Sequence, residues 1–132
     1  MEYSSKKKTG KIILVIAAHP DDEVIGCGAS IAKWTALGHI VHIVIMAEGA
    51  TSRHRTRNKE SNSDVLSLLH KSAKSAAETL GASSVKLLNF PDNRMDSVPT
   101  LEVAKVIERL IDLYKPEIVF THHHGDVNID HR

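Results

Sequence analysis

Histidine and aspartate residues occur at two places in the chain with spacings suited to a metal ion. His19 and Asp22 are three residues apart in a turn that enters a predicted helix, so their side chains can converge on one point. Zinc takes imidazole and carboxylate ligands, and a catalytic zinc site keeps one position open for water. The segment 122–132 near the other end of the chain supplies candidates for a third ligand, and His131 can reach the same point if the strands before the two segments are neighbours. Asp21 is then free to act as the general base in hydrolysis.

Both motifs also have a purely structural interpretation. The segment 18–23 is compatible with a turn before an acidic helix N-terminus, where Asp22 and Glu23 stabilise the helix dipole. A solvated loop is the preferred interpretation of His122 and His123, taken individually. The two motifs favour a metal site only if they meet in the folded chain.

Short apolar segments alternate with helical patterns along the chain. Nearly continuous runs rich in Ile and Val are typical of strands buried on both faces of a parallel sheet. They occupy residues 12–18, 40–47, 85–90 and 117–121. Apolar spacing between them predicts three helices, of which the first two end at Gly38 and Gly81 and the third ends before Pro116. The alternation predicts an α/β fold, a doubly wound, mostly parallel Rossmann-like open sheet with helices on both faces.

The acids and histidines follow the predicted strands. They lie in segments 19–23, 48–53, 91–94 and 122–132. In open α/β sheets, ligands bind outside the carboxyl ends of the strands. We therefore expect these clusters to share one rim of the sheet, with residues 48–63 and 91–99 forming loops there.

The composition is that of a globular domain. A length of 132 residues favours one domain, and 17 basic against 16 acidic side chains, a net charge of +1, argue against a nucleic-acid partner. The single cysteine cannot form an internal disulfide. Nine histidines strengthen the expectation of a metal site.

The N-terminus does not fit a targeting signal. No apolar run approaches the roughly 20 residues of a membrane-spanning helix. The basic start and apolar segment 12–18 lead into His19 and acidic residues rather than into a cleavage site. We expect a soluble, cytoplasmic protein, at the membrane face if its acceptor is lipid-linked. Residues 1–10 are expected to form a disordered basic tail before a single domain of residues 11–132.

The motifs resemble those of the LmbE-like (PIG-L) family of zinc-dependent N-deacetylases. The resemblance rests on Ala-His-Pro-Asp-Asp-Glu at residues 18–23 and on the pair Asp130-His131. It extends to the Gly26 and Gly28 spacing, the Leu80-Gly81 helix end and the loop with Asp92. It covers essentially the whole chain from residue 12 onward.

The resemblance implies a metal centre and a base. His19, Asp22 and His131 would hold zinc, with Fe²⁺ as the alternative metal. Asp21 would take the proton of the attacking water and deliver it to the departing amine. Asp130 would orient the neighbouring groups.

The implied substrate is an N-acetylated amino sugar, commonly an N-acetylglucosamine unit of a glycan or conjugate. The loop with Asp92, and Arg53, would contact sugar hydroxyls. Many family members carry an oxyanion-stabilising histidine three positions before the last ligand, where this chain has Asn128. An amide donates a hydrogen bond but carries no charge, so the role falls to Asn128 or to His124.

The chain ends one residue after the third ligand, whereas members of the family continue for several elements. We interpret residues 11–132 as the N-terminal and central part of a single deacetylase domain whose C-terminal elements are missing, a naturally short form being the alternative. We expect zinc binding with impaired or absent turnover, tested against a C-terminally extended chain. A zinc amidase for another acyl group and a non-catalytic glycan-binding module stay open, as does a homo-oligomer.

Overall fold

A computed structural model describes residues 10–53 and 55–132, so residues 1–9 of the predicted tail lie outside the described part. Four parallel strands form one open sheet in the order β3-β2-β1-β4. The strands are β1 Ile12–Ala17, β2 Ile40–Ala47, β3 Ser84–Phe90 and β4 Ile118–Phe120. The helices that connect them are α1 Asp22–Ala36, α2 Ser63–Thr79 and α3 Thr100–Tyr114.

Different helices cover the two faces of the sheet. Ile13, Val15 and Ala17 of β1 pack on one face with residues of α1 and α2. Leu14 and Ile16 pack on the other face with residues of α3. The central strands β1 and β2 are therefore buried on both sides, which explains their nearly continuous apolar sequences. This arrangement confirms the predicted doubly wound α/β fold with helices on both faces.

Strands β1 and β3 each differ from the predicted bounds by one residue, and α1 and β4 differ from the predictions as well. Helix α1 begins at Asp22, within the turn predicted to precede the helix, because carboxylates favour the first turn of a helix. Strand β4 is shorter than predicted, since only three of its residues pair with β1. The predicted helix ends are confirmed at Gly38 and Gly81, whose φ angles of 83° and 75° suit glycine after a helix.

The two predicted loops contain short 3₁₀ turns rather than further strands or long helices. Thr51–Arg53 and Glu60–Asn62 lie in the first loop, and Met95–Ser97 lies in the second. Among the helices of residues 10–53 and 55–132, none has both the length and the apolar character required to cross a membrane.

A buried carboxylate ties the first of these loops to the sheet. Glu48 accepts hydrogen bonds from Thr51 Oγ1 at 2.7 Å and from Arg57 Nε and Nη2 at 2.6 and 2.8 Å. Lys59 Nζ lies 3.0 Å from the same carboxylate, and Arg57 also donates to the carbonyl of Asn89 at 2.8 Å. Burial opposes ionisation of Glu48, but the hydrogen bonds from Arg57, Thr51 and Lys59 outweigh it and lower its pKa to about 2.

We predict that Glu48→Gln lowers the free energy of unfolding by about 2 kcal/mol at pH 7, because charged hydrogen bonds to a buried group are lost. The folded-state pKa of Glu48 lies below its ordinary value of 4.5. The ionised carboxylate therefore stabilises the fold above that pH, and the stabilisation disappears as the pH falls towards 2. Urea unfolding followed by circular dichroism should show that the free energies of unfolding of the parent and of Glu48→Gln become equal as the pH falls through this range.

Glu108→Gln is the matched control. Glu108 pairs with Lys105 at 2.7 Å, but both side chains are exposed, so no measurable change is expected. Equal destabilisation by the two substitutions would contradict the role given to Glu48.

Candidate metal centre

The turn after β1 positions the first two predicted ligands. The backbone N–H of His19 donates to Asp22 Oδ2 at 3.0 Å, which closes the turn at the start of α1. Asp21 has a φ of 132°, a conformation that costs a residue other than glycine about 1–3 kcal/mol. Its N–H donates to the buried carboxylate of Glu23 at 3.0 Å. Both acidic neighbours of Asp21 therefore stabilise this strained turn.

The segment that follows β4 positions the third predicted ligand. Asn128 Oδ1 accepts the N–H of Asp130 at 2.9 Å and caps the 3₁₀ turn Ile129–His131. The buried Asp130 Oδ1 accepts the N–H of Met95 at 2.9 Å, which ties the segment to the loop after β3. Because β4 pairs with β1, these contacts place His131 beside the turn that carries the other two ligands.

His19, Asp22 and His131 form a nearly equilateral triangle of donor atoms. Asp22 Oδ2 lies 3.3 Å from His19 Nδ1 and 3.2 Å from His131 Nε2, and the two nitrogens are 3.3 Å apart. Tetrahedral ligands at ordinary zinc distances are about 3.3 to 3.6 Å from one another. The three side chains thus fit a single zinc ion with a fourth ligand position to spare.

The outer nitrogen of each histidine faces a carboxylate. His19 Nε2 is 2.9 Å from Asp130 Oδ2 and 3.7 Å from Asp92 Oδ1. His131 Nδ1 is 3.2 Å from Asp126 Oδ2. The hydrogen bond with Asp130 keeps a proton on Nε2 of His19, so its Nδ1 can present a lone pair to a metal ion; His131 Nδ1 is close to Asp126 but makes no hydrogen bond within the described part of the chain.

The surrounding carboxylates favour positive charge at this centre. The hydrogen bond with Asp22, opposed by burial and reinforced by Asp130, raises the pKa of His19 to about 9. Burial opposes ionisation of Asp22, but hydrogen bonds from the His19 side chain and backbone lower its pKa. The same carboxylates would stabilise a divalent cation, which would replace the proton on His19.

Asp21, the predicted base, lies next to the ligands without being one of them. Its side chain is exposed at the rim of the centre. Burial of part of the carboxyl group and repulsion from Asp22 raise the pKa of Asp21, although His19 and His131 act in the opposite direction. A raised pKa suits a carboxylate that both accepts and returns a proton.

The other predicted site residues have different surroundings. Asp92 is buried, and its Oδ2 accepts hydrogen bonds from the backbone N–H and Oγ of Ser52 at 3.1 and 2.6 Å. Asn128 Nδ2 donates to Asn93 Oδ1 at 3.0 Å, and Arg53 is exposed in the first 3₁₀ turn. Asp92 and Asn128 thus join the loops around the centre, and contact of these residues or of Arg53 with a substrate stays a prediction.

His122 belongs to the centre, so its interpretation as a solvated loop residue is wrong. Its Nε2 accepts the N–H of Ala18 at 2.8 Å and lies 3.5 Å from Asp22 Oδ2. Its ring stacks on His131, with centroids 3.8 Å apart and planes inclined by 13°. His123 and His124 are exposed. The available signal for His122 was its position directly beyond β4, on the same rim as the ligands.

The fold and the site define a class: an α/β domain with two histidines and one aspartate that could hold a metal ion at the carboxyl edge of a parallel sheet. A family model described as GlcNAc-PI de-N-acetylase (PIG-L) matches residues 14–132. The chain therefore belongs to the PIG-L family, as the motifs predicted.

The similar proteins include deacetylases and one hydratase. The chain is 32% identical to an uncharacterized deacetylase of Escherichia coli, YaiS, over 97% of this chain and 65% of that protein. It matches the structure of the N,N'-diacetylchitobiose deacetylase from Pyrococcus horikoshii with a TM-score of 0.77 and 26% identity, covering 100% and 49% of the two chains. It matches the 4-carboxy-2-hydroxymuconate hydratase GalB from Pseudomonas putida with a TM-score of 0.75 and 28% identity, covering 92% and 51%. The chain thus spans between 49% and 65% of the length of these proteins.

We predict that the purified chain binds one equivalent of zinc and that His131→Ala weakens this binding at least about 100-fold, because one of three ligands is lost. The measurement is a competition titration against a chromophoric chelator. His70→Ala, at an exposed position of α2, should leave the affinity unchanged. An affinity of His131→Ala equal to that of the parent would remove His131 from the ligand set.

Proposed function

We propose that this domain is a metal-dependent hydrolase that removes the N-acetyl group from an N-acetylated amino sugar. The observation that carries the proposal is the triangle of His19, Asp22 and His131 with the carboxylate of Asp21 beside it. Family membership and a match to a diacetylchitobiose deacetylase support this substrate class, a glycan or conjugate of the N-acetylglucosamine type.

The donor set of two imidazoles and one carboxylate suits zinc, with Fe²⁺ as the alternative. When bound, the metal supplies a Lewis acid that polarises the acetamide carbonyl and lowers the pKa of water. Asp130 keeps the His19 ring oriented through Nε2, so that Nδ1 stays directed at the metal position.

Asp21 moves the proton in this mechanism. Its carboxylate accepts a proton from the attacking water and then donates it to the nitrogen of the departing amine, so that acetate and the free amino sugar result. The backbone of Asp21 is strained, and its hydrogen bond to Glu23 holds it in place. This fixes the position of the Asp21 Cα atom, from which the carboxylate side chain extends.

Substrate contacts fall to the loops on the same rim. We assign Arg53 and the loop with Asp92 to the sugar hydroxyls. Asn128 faces Asn93 and caps the segment of the third ligand, and Nδ2 keeps a second N–H that can donate to the developing oxyanion.

We predict that, in a version of the chain lengthened to the size of its relatives, Asp21→Asn keeps the zinc stoichiometry of the parent but lowers acetate release from N,N'-diacetylchitobiose at least about 100-fold, because the ligands survive while the base is lost. Zinc content is measured by metal analysis and acetate by a coupled assay. Asp112→Asn, at an exposed pair with Lys115, is the matched control and should behave as the parent. Undiminished release by Asp21→Asn would remove Asp21 from the mechanism.

The same assay separates the rival functions. Release of a different acid from other N-acyl amides, without acetate, would support an amidase for another acyl group. Saccharide binding without hydrolysis, by the chain and by a version lengthened to the size of its relatives, would support a glycan-binding module.

A further inference from the structure

We infer that His122 is a positioning residue that aligns the two halves of the metal centre; the inference rests on the proposed metal-dependent function. His19 and His131 are 112 residues apart and must hold their nitrogens 3.3 Å from each other. His122 contacts both the strand that leads to His19 and the ring of His131.

The first contact replaces a missing strand partner. The carbonyl of Ala18 pairs with the N–H of Ala47 on the β2 side. On the other side, β4 ends at Phe120, so no backbone of β4 pairs with the N–H of Ala18. The imidazole of His122 accepts this N–H at 2.8 Å and thereby satisfies a buried donor directly before His19.

This hydrogen bond also determines the tautomer of His122. A backbone N–H can only donate, so Nε2 must present a lone pair and the proton of a neutral ring must lie on Nδ1. That lone pair is engaged by Ala18. His122 therefore acts beside the ligand set rather than as a fourth ligand through Nε2.

The second contact orients the third ligand. The rings of His122 and His131 are nearly parallel, with centroids 3.8 Å apart. Stacking restricts rotation of the His131 ring, whose Nε2 faces Asp22 while Nδ1 faces Asp126. One side chain thus connects the backbone before the first ligand to the ring plane of the last.

Two substitutions separate the two contacts. His122→Phe keeps a ring for stacking but leaves the N–H of Ala18 without its acceptor. His122→Gln keeps an acceptor oxygen near the position of Nε2 but loses the stacked ring. His123→Phe makes the same chemical change at the adjacent, exposed histidine and is the matched control.

The test is zinc affinity by chelator competition, together with the His122 tautomer from ¹H–¹⁵N spectra of the imidazole nitrogens. We expect about 10- to 100-fold weaker zinc binding for His122→Phe, about 10-fold weaker binding for His122→Gln and no change for His123→Phe. The spectra should show the Nδ1-protonated ring.

Parent-like zinc binding by both His122 variants, or an Nε2-protonated ring, overturns this inference alone. A parent chain that binds no zinc overturns the metal centre and the inference together. Zinc affinity is independent of turnover, so absence of hydrolysis in a chain that binds zinc would bear on the proposed reaction and not on His122.

Discussion

The separation of 3.2 to 3.3 Å among three donor atoms is the constraint on which this structure depends. Two of the atoms come from the turn after β1, and the third comes from the far end of the chain. The strand order brings these distant residues together. Strand β4 lies directly beside β1, although α1, α2 and α3 lie between the two strands in sequence. Any topology that separated these strands would move His131 by at least one inter-strand spacing of about 4.8 Å, too far for a shared ion.

The rigidity of β1 makes the unfavourable features of the site tolerable. A φ of 132° at Asp21 and several carboxylates close together both raise the free energy of the fold. The strand immediately before them is buried on both faces, so its end cannot relax freely. The carboxylates are also engaged individually: Asp22 by the N–H of His19, Asp130 by that of Met95 and Asp92 by Ser52. Backbone and hydroxyl donors therefore fix the position of each of these carboxylate groups.

The fold could be predicted from the sequence because it follows from local rules, whereas the choice of His131 as a candidate ligand also needed the family resemblance. Apolar runs between helical patterns predict a parallel sheet, and the carboxyl ends of such strands share a rim, so His19, Asp22 and His131 could be grouped without coordinates. The same rule places His122 on this rim but does not give its contacts. Its role depends on where β4 stops pairing with β1 and on a contact spanning 104 residues, neither of which leaves a periodic signal.

A metal ion held by His19, Asp22 and His131 would account for activation of water but not for the choice of substrate. Structures of a deacetylase and of a hydratase share this fold, so the difference between reactions must arise outside the part common to them. The loops on the rim are the candidates, and their backbones are fixed by internal contacts: Glu48 to Arg57, Asp92 to Ser52 and Asn93 to Asn128. Because these contacts hold the loops in place, exposed side chains such as Arg53 can be substituted without displacing His19, Asp22 or His131. Specificity can then vary on the rim while the geometry around the ion stays constant.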